Sequence, residues 1–130
     1  MDVLADNRMP SGYRVVINGG RTFTERDALE WAREAVDRGA GEIVLNSIDA
    51  DGTTGGYDCR VTRLISQSVS VPVVASGGAG TPQHIAEVFR DGAADAALVA
   101  SMLHFGNYSV AEIKKYLFAA GVPVRLDGIE

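Results

Sequence analysis

Thiol chemistry is almost absent from this chain. Cys59 is the single cysteine among 130 residues, which excludes an internal disulfide framework and any Cys-rich zinc site. Histidine is nearly as scarce, and His84 and His104 share no ligand spacing, so no metal site is expected. No apolar run approaches the ~18 residues of a membrane span. The opening Met1-Asp2-Val3-Leu4 does not have the pattern of a secretory leader. Basic residues are the minority, 12 against 17 acidic, giving a formal net charge of −5. That balance argues against nucleic acid or an anionic membrane as the main partner. An anionic substrate remains open, because backbone N–H groups at helix N-termini bind phosphate whatever the net charge. No charge block or Pro-rich stretch marks a boundary, so residues 1–130 are expected to form one cytoplasmic domain without a cofactor.

Glycine is plentiful, 15 of 130, well above the ~7% average. The glycines fall at the ends of apolar runs or just past helical patterns: Gly19-Gly20, Gly39 and Gly41, Gly52, Gly55-Gly56, and Gly77-Gly78 with Gly80. They act as joints between elements, not as a linker.

Between these joints the chain alternates. Val3-Leu4-Ala5 and the β-branched Tyr13–Ile17 are expected strands. Thr24 and Asp27 suggest a capping box that opens a helix running to Arg38, with Gly39 as its stop. Glu42–Ser47, Val71–Ser76 and Ala96–Ser101 are continuous apolar runs that suit buried parallel strands. Tyr57, Val61, Leu64, Ile65 and Ser68 recur at helical spacing. Thr81 with Pro82 opens another helix, and Ser109 with Glu112 a last one, whose Ile113, Tyr116, Leu117 and Ala120 are expected inside. Four strand–helix alternations predict a parallel sheet with right-handed crossovers. The repeated order of helix stop, acidic residue, apolar strand and serine at 39–47 and 92–101 suggests one βα unit used again.

In parallel α/β folds ligands bind beyond the carboxyl ends of the strands. The residues expected there are Asp6, the stretch 46–53, Ser76-Gly77-Gly78-Ala79-Gly80, and Ser101 to His104. Gly77 and Gly78 place backbone without Cβ atoms directly before a helix N-terminus, a pattern that lets a phosphate approach N–H groups closely. Ala100-Ser101 can close the other side of that pocket. Asp49 and Asp51 bring two carboxylates to one strand end, either as an acid/base pair or as turn formers. Asp6 ends a strand and is expected to point at the pocket. Cys59 has no neighbouring histidine and reads as structural, and Trp31 as partly buried packing.

With these residues assembled, the chain resembles the C-terminal half of the cyclase subunit of imidazole glycerol phosphate synthase. The resemblance rests on Arg38-Gly39-Ala40-Gly41-Glu42-Ile43, Asp51-Gly52-Thr53 with Gly56-Tyr57-Asp58, and Ala75-Ser76-Gly77-Gly78-Ala79-Gly80. Ala100-Ser101 with His104, and Gly121-Val122-Pro123-Val124-Arg125-Leu126, complete it. A sister family, the phosphoribosyl isomerase of the same pathway, shares the DGT and SGG elements. The Gly56-Tyr57-Asp58 triplet and the C-terminal segment resemble the cyclase instead. The resemblance implies a (βα)4 half of a TIM-type (βα)8 barrel, with parallel strands and outer helices. It implies a lyase of histidine biosynthesis that joins ammonia to a bis-phosphorylated ribulosyl intermediate. By position it implies Asp6 as one of two catalytic aspartates, Asp51 as a substrate contact, and Gly52, Ser76, Gly77, Gly78, Ala100 and Ser101 as phosphate-holding residues. A glutaminase subunit would supply the ammonia. A whole barrel needs roughly 250 residues, so four βα units hold one acid and one phosphate site. Half a barrel leaves strand edges open at Val3–Asp6 and Ala96–Ser101, and pairing of two copies into a homodimer would close them. A non-catalytic phosphate-binding or assembly half-barrel is the alternative.

Overall fold

Period-two burial decides which way each strand faces in the computed structural model, which describes residues 1–129. In strand β4 (Ile43–Ser47), Ile43, Leu45 and Ser47 are buried while Val44 is 42% exposed. Strand β5 (Val73–Ser76) repeats this, with Val73 and Ala75 buried. The buried sides meet helices α1 (Ala28–Asp37) and α2 (Cys59–Ser66), giving a core of Val3, Tyr13, Val15, Ala28, Ala32, Ile43, Leu45, Val61, Ile65 and Val73. A second core joins Ala75, Ala79, Ile85, Val88, Met102, Ile113 and Leu117. It lies among helices α3 (Pro82–Arg90), α4 (Ser101–His104) and α5 (Val110–Ala119).

The sheet order is β3 (Thr22–Asp27), β2 (Tyr13–Ile17), β1 (Asp2–Ala5), β4, β5 and β6 (Ala96–Ala97). Strands β1, β4, β5 and β6 run parallel, each crossover carrying a helix. This is the half-barrel topology expected from the sequence. The opposite face of these strands is uncovered: Val44 and Leu98 (45% exposed) stand on it. A polar row crosses it, with Asn46 Nδ2 donating to Asp2 Oδ1 (3.4 Å) and Ser76 Oγ donating to Asn46 Oδ1 (3.1 Å).

Four expectations need correction. The segment expected to begin a helix at Thr24 is strand β3 (Thr22–Asp27), paired antiparallel with β2 (Tyr13–Ile17). Thr24 Oγ1 donates to Val15 O across this hairpin (2.7 Å), so it is not a cap. Asp27 caps α1 instead: Oδ2 accepts from the amides of Leu29 and Glu30, and Oδ1 from Ser11 (2.8 Å). Next, the run 96–101 is not a long strand. It makes two paired residues, and Leu98 N adds one more bond to Ala75 O before Ser101 opens α4. Alanine is the best helix former and a poor strand former, so the alanines here support only a short ladder. Nor is the edge at β1 open, because β2 pairs along all of Asp2–Ala5. The outer strands are β3 and β6. On α5, Ile113 and Leu117 are buried, while Tyr116 and Ala120, expected inside, are exposed. This helix buries only a narrow i, i+4 stripe.

Among the described residues, no helix is long and apolar enough to cross a membrane, and no group of His, Cys, Asp and Glu could hold a metal ion.

Candidate functional site

Strands β5 and β6 end side by side, and the chain leaves β5 through Gly77 and Gly78 and β6 through Leu98, Val99 and Ala100. A cavity of about 130 Å³ lies between them, lined by Asp51, Gly52, Thr54, Ser76, Gly77, Gly78, Ala79, Leu98, Ala100 and Ser101. Every residue assigned above to phosphate holding, and Asp51, is therefore part of one wall. Among the described residues, no lysine or arginine lines it.

Backbone geometry makes the wall. Gly77 and Gly78 have φ of +89° and +108°, a region that side chains rarely adopt. A Cβ on Gly77 would lie 2.8 Å from Asn46 Oδ1, and one on Gly78 only 2.0 Å from Gly56 O. Glycine is thus required here by contact as well as by torsion. Gly56 N donates to Gly78 O (2.8 Å), which holds the loop 52–56 against the glycine loop. Tyr57 is buried, and its hydroxyl donates to Leu98 O (2.7 Å), tying the same loop to the end of β6. Among the described residues, the amides of Gly77, Gly78, Ser101 and Met102 have no protein acceptor. Unpaired N–H groups at strand ends and helix starts suit an anion. Helix α3 begins just beyond, capped by Thr81 with Pro82 in the first turn. His84 is part of this corner, since its Nδ1 accepts from Gly80 N (3.1 Å), which puts the remaining ring proton on Nε2.

Asp6 is elsewhere. It follows β1, separated from β5 by β4, and it does not line the cavity. Its carboxylate is clamped instead: Oδ1 accepts from Arg8 Nε (2.9 Å), and Oδ2 from Arg8 Nη2 and Arg14 Nε (both 2.8 Å). The expectation that Asp6 points at the pocket is overturned by this pairing. Bonds from the Arg8 side chain, then from Arg14, hold the Asp6 carboxyl well below the usual carboxylate range. Arg14 is the buried partner, with its side chain 6% exposed against 72% for Arg8. Asp49, the other acid considered at the β4 end, accepts from Ala5 N (2.8 Å) and so joins the ends of β1 and β4. Asp51 is exposed.

The lysine-free cavity is not the largest concavity. A groove of about 620 Å³ runs past Pro10, Ser11 and the outer side of α1, but Asp27, Glu30, Glu34 and Asp37 line it, with Arg33 as the lone cation among the described residues. Such a wall repels anions. Cys59 opens α2, and burial first, then nearby carboxylates, push its thiol up, away from thiolate chemistry. His104 is exposed and packs edge-on against Phe105. Trp31 is partly buried, with Arg26 over its ring.

Sequence reasoning did not single out Thr54 or Leu98 as parts of the wall, Tyr57 as the tie to Leu98 O, or Arg8 and Arg14 as partners of Asp6. The wall contacts come from loop–loop packing, which leaves no periodic signal. Arg14 reaches Asp6 only because the hairpin register sets it beside Leu4.

Parallel strands joined by helices, with glycine-rich turns gathered at their carboxyl ends, define one half of a (βα)8 barrel. Residues 2–109 match the family described as histidine biosynthesis protein, and the chain belongs to that family. It is 63% identical over 123 residues to the imidazole glycerol phosphate synthase subunit HisF of Syntrophobacter fumaroxidans, covering 95% of this chain and 48% of that one. The same-named subunit of Methanosarcina mazei is 54% identical over 117 residues, covering 90% and 43%. That of Desulfovibrio desulfuricans is 51% identical over 129 residues, covering 97% and 50%. The chain spans about half the length of the curated relatives it matches.

Proposed function

We propose that this chain supplies the C-terminal half of a cyclase barrel, with its share of the site for a bis-phosphorylated ribulosyl substrate. The observation that carries this is the cavity between β5 and β6, where unpaired amides of Gly77, Gly78 and Ser101 meet at the carboxyl ends of the strands. In this reading Gly52, Ser76, Gly77, Gly78, Ala100 and Ser101 hold one phosphate group, and Asp51 contacts the substrate beside it. With no cation in the wall, backbone dipoles and N–H groups do the holding. The phosphate anchors the substrate so that its reacting carbon lies over the strand ends, which converts binding into orientation.

Asp6 supplies one of the two acids in this account. General acid–base groups contribute ~10²–10⁴-fold, and most when their pKa lies near the working pH. Clamped by Arg8 and Arg14, Asp6 stays ionised and is a weak base. Proton transfer therefore requires a state in which the arginines have let go. The second acid and the second phosphate site come from the complementary half. Ammonia comes from a glutaminase subunit docked at the other end of the barrel. The relatives named above are all imidazole glycerol phosphate synthase subunits, which favours this reaction over that of the sister isomerase. A homodimer as the complete barrel would have to find a route onto β1, where β2 already sits.

The test is turnover. The chain is mixed with the N-terminal half of the Syntrophobacter fumaroxidans relative and supplied with the ribulosyl substrate and an ammonium salt. Imidazole glycerol phosphate should form in the mixture, and Asp6→Asn should lower its rate by ~10²–10⁴-fold while phosphate affinity stays within about twofold. Phosphate binding without any turnover would make the chain a binding or assembly module instead.

A further inference from the structure

Strand β1 has two edges, and both are taken. On one side Asp2 and Val3 pair in parallel with Asn46 and Ser47 of β4; on the other, Asp2–Ala5 pair antiparallel with Val16–Tyr13 of β2. A closed parallel barrel has no free edges and needs a further parallel strand on β1. No third edge exists to receive it. We infer that the β2–β3 hairpin is a displaceable cap, holding the β1 edge while the half-barrel stands alone and leaving when a parallel strand of the complementary half pairs there, so that Arg14 departs from Asp6 as the barrel closes. This rests on the half-barrel reading given under the proposed function.

The hairpin is built to move as one piece. Arg14 Nη1 donates to Thr24 O and Glu25 Oε1, both within the hairpin, while two ionic links leave it: Arg14 Nε to Asp6 Oδ2 and Arg26 Nη1 to Glu34 Oε2 of α1 (both 2.8 Å). Gly12, with φ of +85°, forms one hinge after the loop closed by Asp6 N donating to Gly12 O (2.9 Å). Asp27, at the other end, remains the cap of α1. Departure also breaks the bond from the Tyr13 hydroxyl to Asp58 Oδ1 (3.1 Å) and uncovers Tyr13 and Val15, which pack in the core with Val3 and Ala28. That burial makes spontaneous opening unfavourable, so the hairpin is exchanged for an incoming strand and does not simply swing away. The same device protects an otherwise bare parallel edge from pairing with unrelated chains. It also links assembly to chemistry, since the carboxylate loses its buried arginine only when the second acid has arrived.

The experiment locks the cap. In a Cys59→Ser background, Asp2→Cys with Val16→Cys places thiols at directly paired positions of β1 and β2, where an oxidised bridge fixes the ladder. Sedimentation with the N-terminal half of the Syntrophobacter fumaroxidans relative is then compared for the oxidised and reduced chain, alongside amide exchange of Arg14–Val16 in the unlocked chain. Association of the reduced form only, with protection of the β2 amides falling about tenfold or more in the complex, is the expected result. Equal association of both forms, or β2 protection unchanged in the complex, overturns the exchange while leaving the half-barrel reading intact. If neither form associates, that reading falls and the exchange with it. Should the oxidised chain lose its native helix amide pattern, the exchange rates of the unlocked chain decide alone.

Discussion

Gly78 and Gly39 offer a paired experiment on what the cavity wall is made of. Their φ values are nearly the same, +108° and +107°, but their surroundings differ. A Cβ on Gly39 meets nothing within 4 Å, while one on Gly78 would lie 2.0 Å from Gly56 O and 2.7 Å from Gly56 C. Alanine at either position carries the backbone strain of a positive φ, about 1–3 kcal/mol. Gly78→Ala adds a collision with main chain, which cannot rotate away, and overpacking of this kind costs a further ~1–3 kcal/mol or more. Gly78→Ala should therefore be less stable than Gly39→Ala by at least ~1–3 kcal/mol, measured as the difference in urea midpoints at unchanged slope. Relief of the collision pushes the loop 52–56 outward and breaks the bond from Gly56 N to Gly78 O, so the cavity opens as stability falls. Equal losses in the two variants would show that torsion alone selects glycine at 78 and that the packed wall is not as described.

The depressed Asp6 pKa contributes stability that is present above the ordinary carboxylate range and lost as pH falls towards the folded value. Acid unfolding of Asp6→Asn should accordingly show a flatter pH dependence below about pH 5, and high salt should narrow the difference through the exposed Arg8 but not through Arg14. Burial first, then the nearby Asp58 carboxylate, pushes the Tyr13 hydroxyl up to about 12. Its contribution is intact below the ordinary tyrosine range and lost as pH rises through that value, so Tyr13→Phe should reduce the alkaline loss of stability seen by circular dichroism. Asp27→Ala removes the α1 cap and its bond to Ser11 together; about 0.5–2 kcal/mol should be lost in urea unfolding for the cap alone, and a value near zero would mean that the helix start is held by β3.

Much of this fold is legible in the residues. The runs that became β4 and β5, the Thr81-Pro82 and Ser109–Glu112 helix starts, and the glycine loop of the site all follow from local chemistry. The hairpin was harder to read. Thr22–Asp27 holds cap-forming residues and strand-forming ones, and only the pairing with β2 decides between them. That one element also decides the fate of Asp6, whose position after β1 is a local matter but whose partner Arg14 is set by register. The alanine-rich 96–101 misleads for another reason, since an apolar run with weak strand propensity is equally good at ending a ladder and starting a helix. Loop contacts such as Gly56 with Gly78 and Tyr57 with Leu98 depend on two turns meeting in space, for which no spacing rule exists.

In the function proposed here, the turn after β5 and the start of α4 form one anion site. Titration of the chain with inorganic phosphate, followed through the backbone amide resonances, tests it directly. The amides of Gly77, Gly78 and Ser101 should shift together and saturate with a single dissociation constant, while those of Arg33 and Glu34 beside the acidic groove stay fixed. Phosphate that moves none of the three, or that moves them with separate affinities, would contradict a shared site between Gly77-Gly78 and Ala100-Ser101.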